Sequence, residues 1–254
     1  MMAEFLKVSI ITVVYNNDKT IENAINSVLS QSYKNIEYII IDGNSTDNTL
    51  TIIQKYMSKI YRCISEKDKG IYDAMNKGVK LATGDIIGIL NSDDLYNDTN
   101  VIRDVVERFN EKPDLKLLYG DLVYVSSENV NKVVRKWKSK PYSKKFFKYG
   151  NVPPHPALFV KNEVYEQCGL FNIDYRLAAD YDFMLRVFMK FGDSSEYVSR
   201  LMVRMRLGGA TNRSLQNIVN GNKEILKSWE GNSLKPSPFF MPLRVFKRLI
   251  QFIQ

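Results

Sequence analysis

Over its first 120 residues the chain repeats one pattern: a short apolar run, a polar turn, then an amphipathic segment. Val8 to Val14 (VSIITVV) and Glu37 to Ile41 (EYIII) are continuous runs rich in β-branched residues, as expected of strands covered on both faces in a parallel sheet. Between them, Thr20 to Ser30 sets Ile21, Ala24, Ile25, Val28 and Leu29 at helical spacing, with Asn17 and Asp18 available as caps. The pattern continues with a helix over about Asn48 to Ser58, a strand over about Tyr61 to Ser65, a helix over Tyr72 to Ala82 and a strand over Asp85 to Leu90. This order predicts an α/β, doubly wound, mainly parallel sheet flanked by helices. Such sheets bind ligands beyond the carboxyl ends of their strands. The loops after Val14, Ile41, Ser65 and Leu90 are therefore the ones to search.

After Tyr119 the rhythm breaks. Lys132 to Lys148 (KVVRKWKSKPYSKKFFK) holds eight Lys or Arg and no acid, as much charge as the whole chain's net +8. Helices are expected near Asn162 to Cys168, Ala179 to Phe191 and Leu215 to Trp229, and a strand near Leu201 to Arg206. Residues 1–235 form the main domain, its halves 1–120 and 121–235, and 236–254 form a C-terminal amphipathic helix. On a wheel from Phe239 to Gln254, Leu243, Phe246, Leu249, Ile250 and Ile253 share one side, opposite Arg244, Lys247, Arg248 and Gln251. An apolar stripe backed by basic residues suits a helix lying in an anionic membrane surface. Docking on the protein's own core or on a second copy, in a homo-oligomer, is the alternative.

Composition excludes several classes. With 254 residues, 44% hydrophobic and 25% charged, the chain can bury a substantial core. It has no apolar stretch near the roughly 18 residues that a membrane span needs. The N-terminus lacks the pattern of a signal peptide. Cys63 and Cys168 stand alone, which argues against a disulfide framework or a zinc site and fits a reducing, cytoplasmic location. The excess of 36 basic over 28 acidic residues leaves nucleic acid, phospholipid and nucleotide open as partners. Nucleic acid is disfavoured, because no recognition helix, RNP motif or zinc finger accompanies the basic run.

The loops narrow the chemistry. Tyr15-Asn16-Asn17-Asp18 follows the first strand, and no glycine fingerprint or P-loop occurs anywhere in the chain. Asp42 ends the second strand, where a carboxylate can accept from a base N–H or a ribose hydroxyl; Ser45, Thr46 and Asp47 behind it suit a helix cap. The fourth strand runs into Asn91-Ser92-Asp93-Asp94. Adjacent carboxylates are costly in a fold unless a cation or donors neutralise them. Oxygen ligands of this kind suit Mg²⁺ or Mn²⁺.

In the order VSIITVVYN, IIIDGNSTDNT, SEKDKGIYDAMNKG, ATGD and ILNSDD, the chain resembles the family 2 glycosyltransferases of GT-A fold, most of all bacterial enzymes that build cell-surface polysaccharides. The resemblance is close over Lys7 to Asp94 and looser to about Thr211. It implies a metal-dependent, inverting transfer of sugar from a nucleotide diphosphate sugar, UDP-sugars first among them, to a hydroxyl of a glycan or lipid-linked acceptor. It puts Thr12, Tyr15, Asn16 and Asp42 at the base, and Asp68, Lys69, Gly70, Asp73 and Asn76 at the ribose and diphosphate. The family's DxD element falls on Asn91-Ser92-Asp93, with asparagine in the first place, so Asp93 is the metal candidate, with Asp94 and His155 as further ones. The acidic pair that opens a helix in many members falls on Ala179-Asp180, which makes Asp180 the implied catalytic base. Gly208 and Gly209 resemble a loop that closes over the diphosphate. The departures at Asn91 and Ala179 keep a catalytically silent scaffold in view.

Overall fold

A computed structural model describes residues 6–208 and 214–250. The elements, in chain order, are β1 (Val8–Val14), α1 (Ile21–Leu29), β2 (Ile36–Asp42), α2 (Thr49–Gln54), β3 (Arg62–Ser65), α3 (Ile71–Leu81), β4 (Ile86–Ile89), β5 (Leu95–Tyr96), α4 (Val101–Glu111), β6 (Leu117–Val125), β7 (Val133–Trp137), β8 (Leu158–Lys161), α5 (Asn162–Cys168), α6 (Ala179–Phe191), β9 (Ser195–Arg206), α7 (Leu215–Gly231) and α8 (Phe240–Ile250).

The strands form one sheet in the order β3-β2-β1-β4-β8-β6-β9-β5, with β7 paired to β6. The first four strands are parallel, with Val8 to Val14 facing Ile36 to Asp42 residue for residue. Beyond β4 the sheet is mixed: β8 is antiparallel to both β4 and β6, whereas β6 and β9 are parallel. All seven residues of β1 are buried, and alternation divides them between two cores. Ile11 and Val13 pack with Tyr72, Met75 and Val79 of α3. Val8, Ile10 and Val14 pack with Ile21, Ile25 and Val28 of α1 and with α4. Each such Ile or Val stabilises the fold by on the order of 2 kcal/mol. A helix layer on either face is what the continuous apolar run required.

Several elements depart from the sequence pattern. The helix expected over residues 48–58 stops at Gln54, and Met57–Lys59 forms a separate 3₁₀ turn. β9 begins at Ser195, six residues ahead of its expected start, because its first part pairs with Leu117 to Tyr119 of β6. The basic run is in part a strand, β7, on the free edge of β6. Val133 and Val134 are exposed there, while the Arg135 guanidinium lies buried 3.9 Å from the Tyr124 ring centre. A cation stacked on an aromatic face occupies the inward position, so the strand carries no apolar alternation to read.

The tail helix docks on the domain, in a rotation unlike the one the wheel suggested. Phe240 is 1% exposed and packs against Trp229 and Tyr181. That anchor turns Arg244 and Lys247 inward. The Arg244 guanidinium lies 5.2 Å from the Tyr181 ring centre, and Lys247 donates to Tyr149 O and Asn151 Oδ1. The side chains of Arg248, Leu249 and Ile250, together with Gln251 and Ile253, lie outside the described residues, as does Gly209. No helix among the described residues is long and apolar enough to cross a membrane.

Candidate active site

Loops from four strand ends meet at the carboxyl edge of the parallel half, joined by hydrogen bonds that no single motif reveals. Asn16 takes a left-handed backbone (φ 48°), which asparagine tolerates better than most residues. Its N–H donates to Ser45 Oγ, and its Oδ1 accepts from the N–H of Thr46. Asn17 Nδ2 donates to Ser92 Oγ at 2.8 Å, and Thr20 Oγ1 donates to Ser92 O. The loops after β1, β2 and β4 are thereby one unit. Tyr15 is 64% exposed above it. A Cβ at Gly43 would stand 3.1 Å from Asp68 Oδ2 and 3.4 Å from Tyr15 Cβ, so the bare glycine brings the β3 loop against the other two.

The segment before α3 is held by charge. Lys77 Nζ lies 2.5 Å from Asp68 and 2.7 Å from Glu66, and the N–H of Lys69 donates to Asp73 Oδ2. Burial pushes the Asp68 carboxyl above its usual pKa, and Lys77 pulls it back. Gly70 sits at φ 127° immediately ahead of α3, where a Cβ would project into open space. Only glycine holds that backbone without strain. Lys69 and Gly70 are exposed and Asp73 is half-buried, so this strip lies on the open side of the fold.

Three residues that the family resemblance put at the nucleotide make hydrogen bonds within the protein. Thr12 is fully buried within β1, on the face it shares with Val8, Ile10 and Val14, and accepts a hydrogen bond from the Tyr38 hydroxyl. Asp42 is also fully buried; its carboxylate accepts from Ser45 N, Ser45 Oγ and Ser65 Oγ. It holds the Gly43 to Ser45 loop from below. Asn76 is spent on Phe171, donating to its carbonyl at 2.8 Å and accepting from its N–H at 2.9 Å. That pair ties α3 to the segment before α6.

The acidic turn has a resident cation. Asp94 is fully buried, with Oδ2 accepting from Asn91 Nδ2 and Oδ1 from the Arg206 N–H. Burial first, then the charge of Asp93, raises its pKa well above that of an ordinary carboxyl. Arg206, at the end of β9, is 6% exposed and donates through Nη1 to Asp93 O at 2.8 Å. Sequence reasoning asked for a cation at this turn but did not find Arg206, which lies 112 residues beyond Asp94. Two buried atoms at the turn, Asn91 Oδ1 and Arg206 Nε, have no hydrogen-bond partner among the described residues. Orphans of this kind each cost about 1–3 kcal/mol and call for an explanation such as a ligand.

Whether the turn suits a divalent ion depends on its donors. Among the described residues no three His, Cys, Asp or Glu form a cage. Mg²⁺ and Mn²⁺ do not need one, since they bind through one or two carboxylates and complete their shell with water and phosphate oxygens. The half-buried Asp93 and the unpartnered Asn91 Oδ1 fit that requirement. Asp94 does not, because both its oxygens are engaged inside the protein. His155 lies elsewhere: it packs edge-on against Phe171, and burial lowers its pKa while the nearby charge of Asp180 acts the other way.

Asp180 stands in the first turn of α6. Its Oδ1 accepts from the Tyr72 hydroxyl at 3.0 Å and from the Tyr181 N–H at 2.8 Å. Tyr72 belongs to α3, so the helix that follows the Asp68 to Gly70 strip also orients this carboxylate. Ala179, where many family members carry an acid, is fully buried. Behind it, Glu224 of α7 accepts from the N–H groups of Arg176, Leu177 and Ala178 at 2.8 to 3.1 Å, and Asp182 is held by Arg186 and Asn232. No local signal marked Glu224, whose partners lie 46 to 48 residues away.

A mixed sheet whose parallel half ends in an exposed aromatic after β1 and an acidic turn after β4, with helices on both faces, is a fold of GT-A type. The chain belongs to Glycosyl transferase family 2, whose model matches residues 9–160, and it is a glycosyltransferase. It is 32% identical over 181 residues to an uncharacterized glycosyltransferase of Mycobacterium tuberculosis, covering 70% of this chain and 68% of that one. It is 31% identical over 179 residues to the UDP-Glc:alpha-D-GlcNAc-diphosphoundecaprenol beta-1,3-glucosyltransferase WfaP of Escherichia coli, with 70% and 68% covered. Among solved structures, Staphylococcus aureus TarS 1-349 superposes with a TM-score of 0.65 at 18% identity over 88% of this chain, which spans 65% of that structure's length; its complex with UDP-GlcNAc, also at 0.65 and 18%, covers 98% and 81%. The mannosyltransferase PcManGT of Pyrobaculum calidifontis, in complex with GDP-Man and Mn²⁺, gives 0.65 at 17% identity, with 94% and 68% covered. At these identities the structures speak for the fold alone.

Proposed function

We propose that the chain transfers a sugar, with inversion, from a UDP-sugar to a hydroxyl of a lipid-linked saccharide, in the assembly of a cell-surface polysaccharide. The observation that carries this proposal is the joining of four strand-end loops around Tyr15, Asp68 and the Asn91–Asp94 turn, with Asp180 held by Tyr72 of the helix that follows the Asp68 strip. The donor named in the Escherichia coli relative favours uridine, and that relative's acceptor favours a lipid diphosphate saccharide. A cytoplasmic location at a membrane surface belongs to this proposal, because the acceptor it names carries a lipid.

In this scheme Tyr15 and Asn16 line the base, with Asp42 and Thr12 supporting them from beneath. Lys69, Gly70 and Asp73 line the ribose and diphosphate, alongside Asn91 and Ser92. Asp93 would hold Mn²⁺ or Mg²⁺, which when bound supplies positive charge to the departing diphosphate. Arg206 offers its unpartnered Nε–H at the same turn. Asp180, oriented by Tyr72, accepts the proton of the acceptor hydroxyl as that oxygen bonds to the anomeric carbon and the bond to the diphosphate breaks. A thermal-shift panel of nucleoside diphosphates and their sugars with Mn²⁺ tests the proposal. UDP and a UDP-sugar are expected to raise the melting temperature, since a ligand that binds only the folded state stabilises it. No shift with any nucleotide would overturn it.

A further inference from the structure

The docked tail leaves an apolar face that the domain does not use. Phe240, Arg244 and Lys247 point inward, so the opposite side of α8 turns outward, and there Val245 and Phe246 are 49% and 60% exposed; Phe239, just ahead of the helix, is 69% exposed. Burying large aromatics is favourable by about 1.5–3 kcal/mol each, so two left in water on one short element stand out from scattered surface residues.

The neighbouring backbone is the end of the basic run. The 3₁₀ turn Phe147–Tyr149 packs directly against α8: Lys247 bonds to Tyr149 O, and a Cβ on Gly150 would stand 2.8 Å from the Arg244 nitrogen. Phe146 and Phe147 are buried and fix this turn, while Lys144, Lys145, Lys148 and Tyr149 are exposed. Exposed aromatics thus adjoin exposed lysines, and the stretch from Lys132 to Lys148 contains no acid.

We propose that this edge, made by Phe239, Val245 and Phe246 of the tail and Lys144, Lys145 and Lys148 of the basic run, seats the enzyme on an anionic lipid surface. The aromatics enter the headgroup boundary and the lysines meet lipid phosphates, the two-signal arrangement of a peripheral helix. A second protein copy would find the apolar side chains equally attractive, but it would bring the same exposed lysines to the contact. The net +8 of the chain weighs against that pairing. The proposal is independent of the sugar chemistry, because its readout is binding to lipid.

The test is co-sedimentation of the full chain with vesicles of phosphatidylglycerol mixed with phosphatidylcholine, against vesicles of phosphatidylcholine alone. The wild-type chain is expected to sediment with the mixed vesicles and to be released by salt. Replacing Lys144, Lys145 and Lys148 together by Gln is expected to weaken partition by roughly 100-fold. The Phe239→Ser, Phe246→Ser pair should weaken it by at least about 10-fold. These side chains are exposed, so the variants should keep the wild-type melting temperature, which is checked in parallel. Failure of the wild-type chain to sediment with the mixed vesicles, equal binding to neutral vesicles, or variants that bind as wild type would each overturn the proposal. So would a concentration-dependent dimer that disappears in the Phe239, Phe246 variant while lipid binding is absent.

Discussion

Replacing Arg206 by Met should expose the electrostatics of the acidic turn. The substitution keeps an unbranched apolar stem and removes the guanidinium that donates to Asp93 O at 2.8 Å and faces buried Asp94. The lost charge-assisted hydrogen bond is worth about 1.5–3 kcal/mol. Removing one partner from a buried charged set costs about 3–5 kcal/mol in all. Asp94 limits the damage, because a carboxyl whose pKa burial and Asp93 already raise can take up a proton once the guanidinium is gone. The expected loss is therefore roughly 3 kcal/mol at pH 8, at the lower end of that range. The sign with pH follows from proton binding. Without Arg206 the folded-state pKa of Asp94 rises further above its unfolded value, so the variant's deficit grows as pH increases. At low pH, where Asp94 is protonated in both folded proteins and the unfolded state cancels in the comparison, only the hydrogen bond and packing distinguish them. Urea unfolding of both proteins at pH 4 and pH 8 measures this. A deficit of the same size at both pH values, or none at all, would refute the electrostatic role of Arg206.

Two further predictions concern the frame that holds the site. Glu37 is buried at the far end of β2; burial pushes its pKa up, but hydrogen bonds from Lys7, Ser9 and Thr83 outweigh that and hold it at about 2 against an ordinary 4.5. The difference corresponds to roughly 3 kcal/mol of stability, present above about pH 4.5 and lost as pH falls through about 2. Glu37→Gln should lose about that much at pH 7, and an unchanged urea midpoint would contradict it. Glu224→Ala frees the three N–H groups that set the start of α6 and so shifts Asp180. Misplacement of a reacting group by about 1 Å can cost 10²-fold, so kcat should fall by roughly that factor with donor KM unchanged. A rise in KM with kcat intact would assign Glu224 to the donor instead.

The parallel half was legible because its signals are local. β1 and β2 announce themselves through unbroken β-branched runs, and the acidic turn stands where β4 ends. What the sequence concealed depends on pairings far apart in the chain. β7 puts an arginine in the inward position by stacking it on Tyr124, which erases the period-two pattern. Asn76 looked free for a ligand until Phe171, 95 residues away, claimed both ends of its amide. Asp42 stands at the expected strand end, but Ser45 and Ser65 turn its carboxylate inward. The tail pattern identified an amphipathic helix, and Phe240 decided which side faces the protein.

The division of labour between Asp93 and Asp180 is tested most directly by calorimetric titration of UDP, with Mn²⁺ present, into the wild-type chain, Asp93→Ala and Asp180→Asn, each paired with a turnover assay. Asp93→Ala should bind UDP at least about tenfold more weakly, the loss of one charge-assisted contact. Asp180→Asn should bind UDP as the wild type does while turnover falls by on the order of 10³. Unweakened UDP binding by Asp93→Ala, or full turnover by Asp180→Asn, would contradict these assignments.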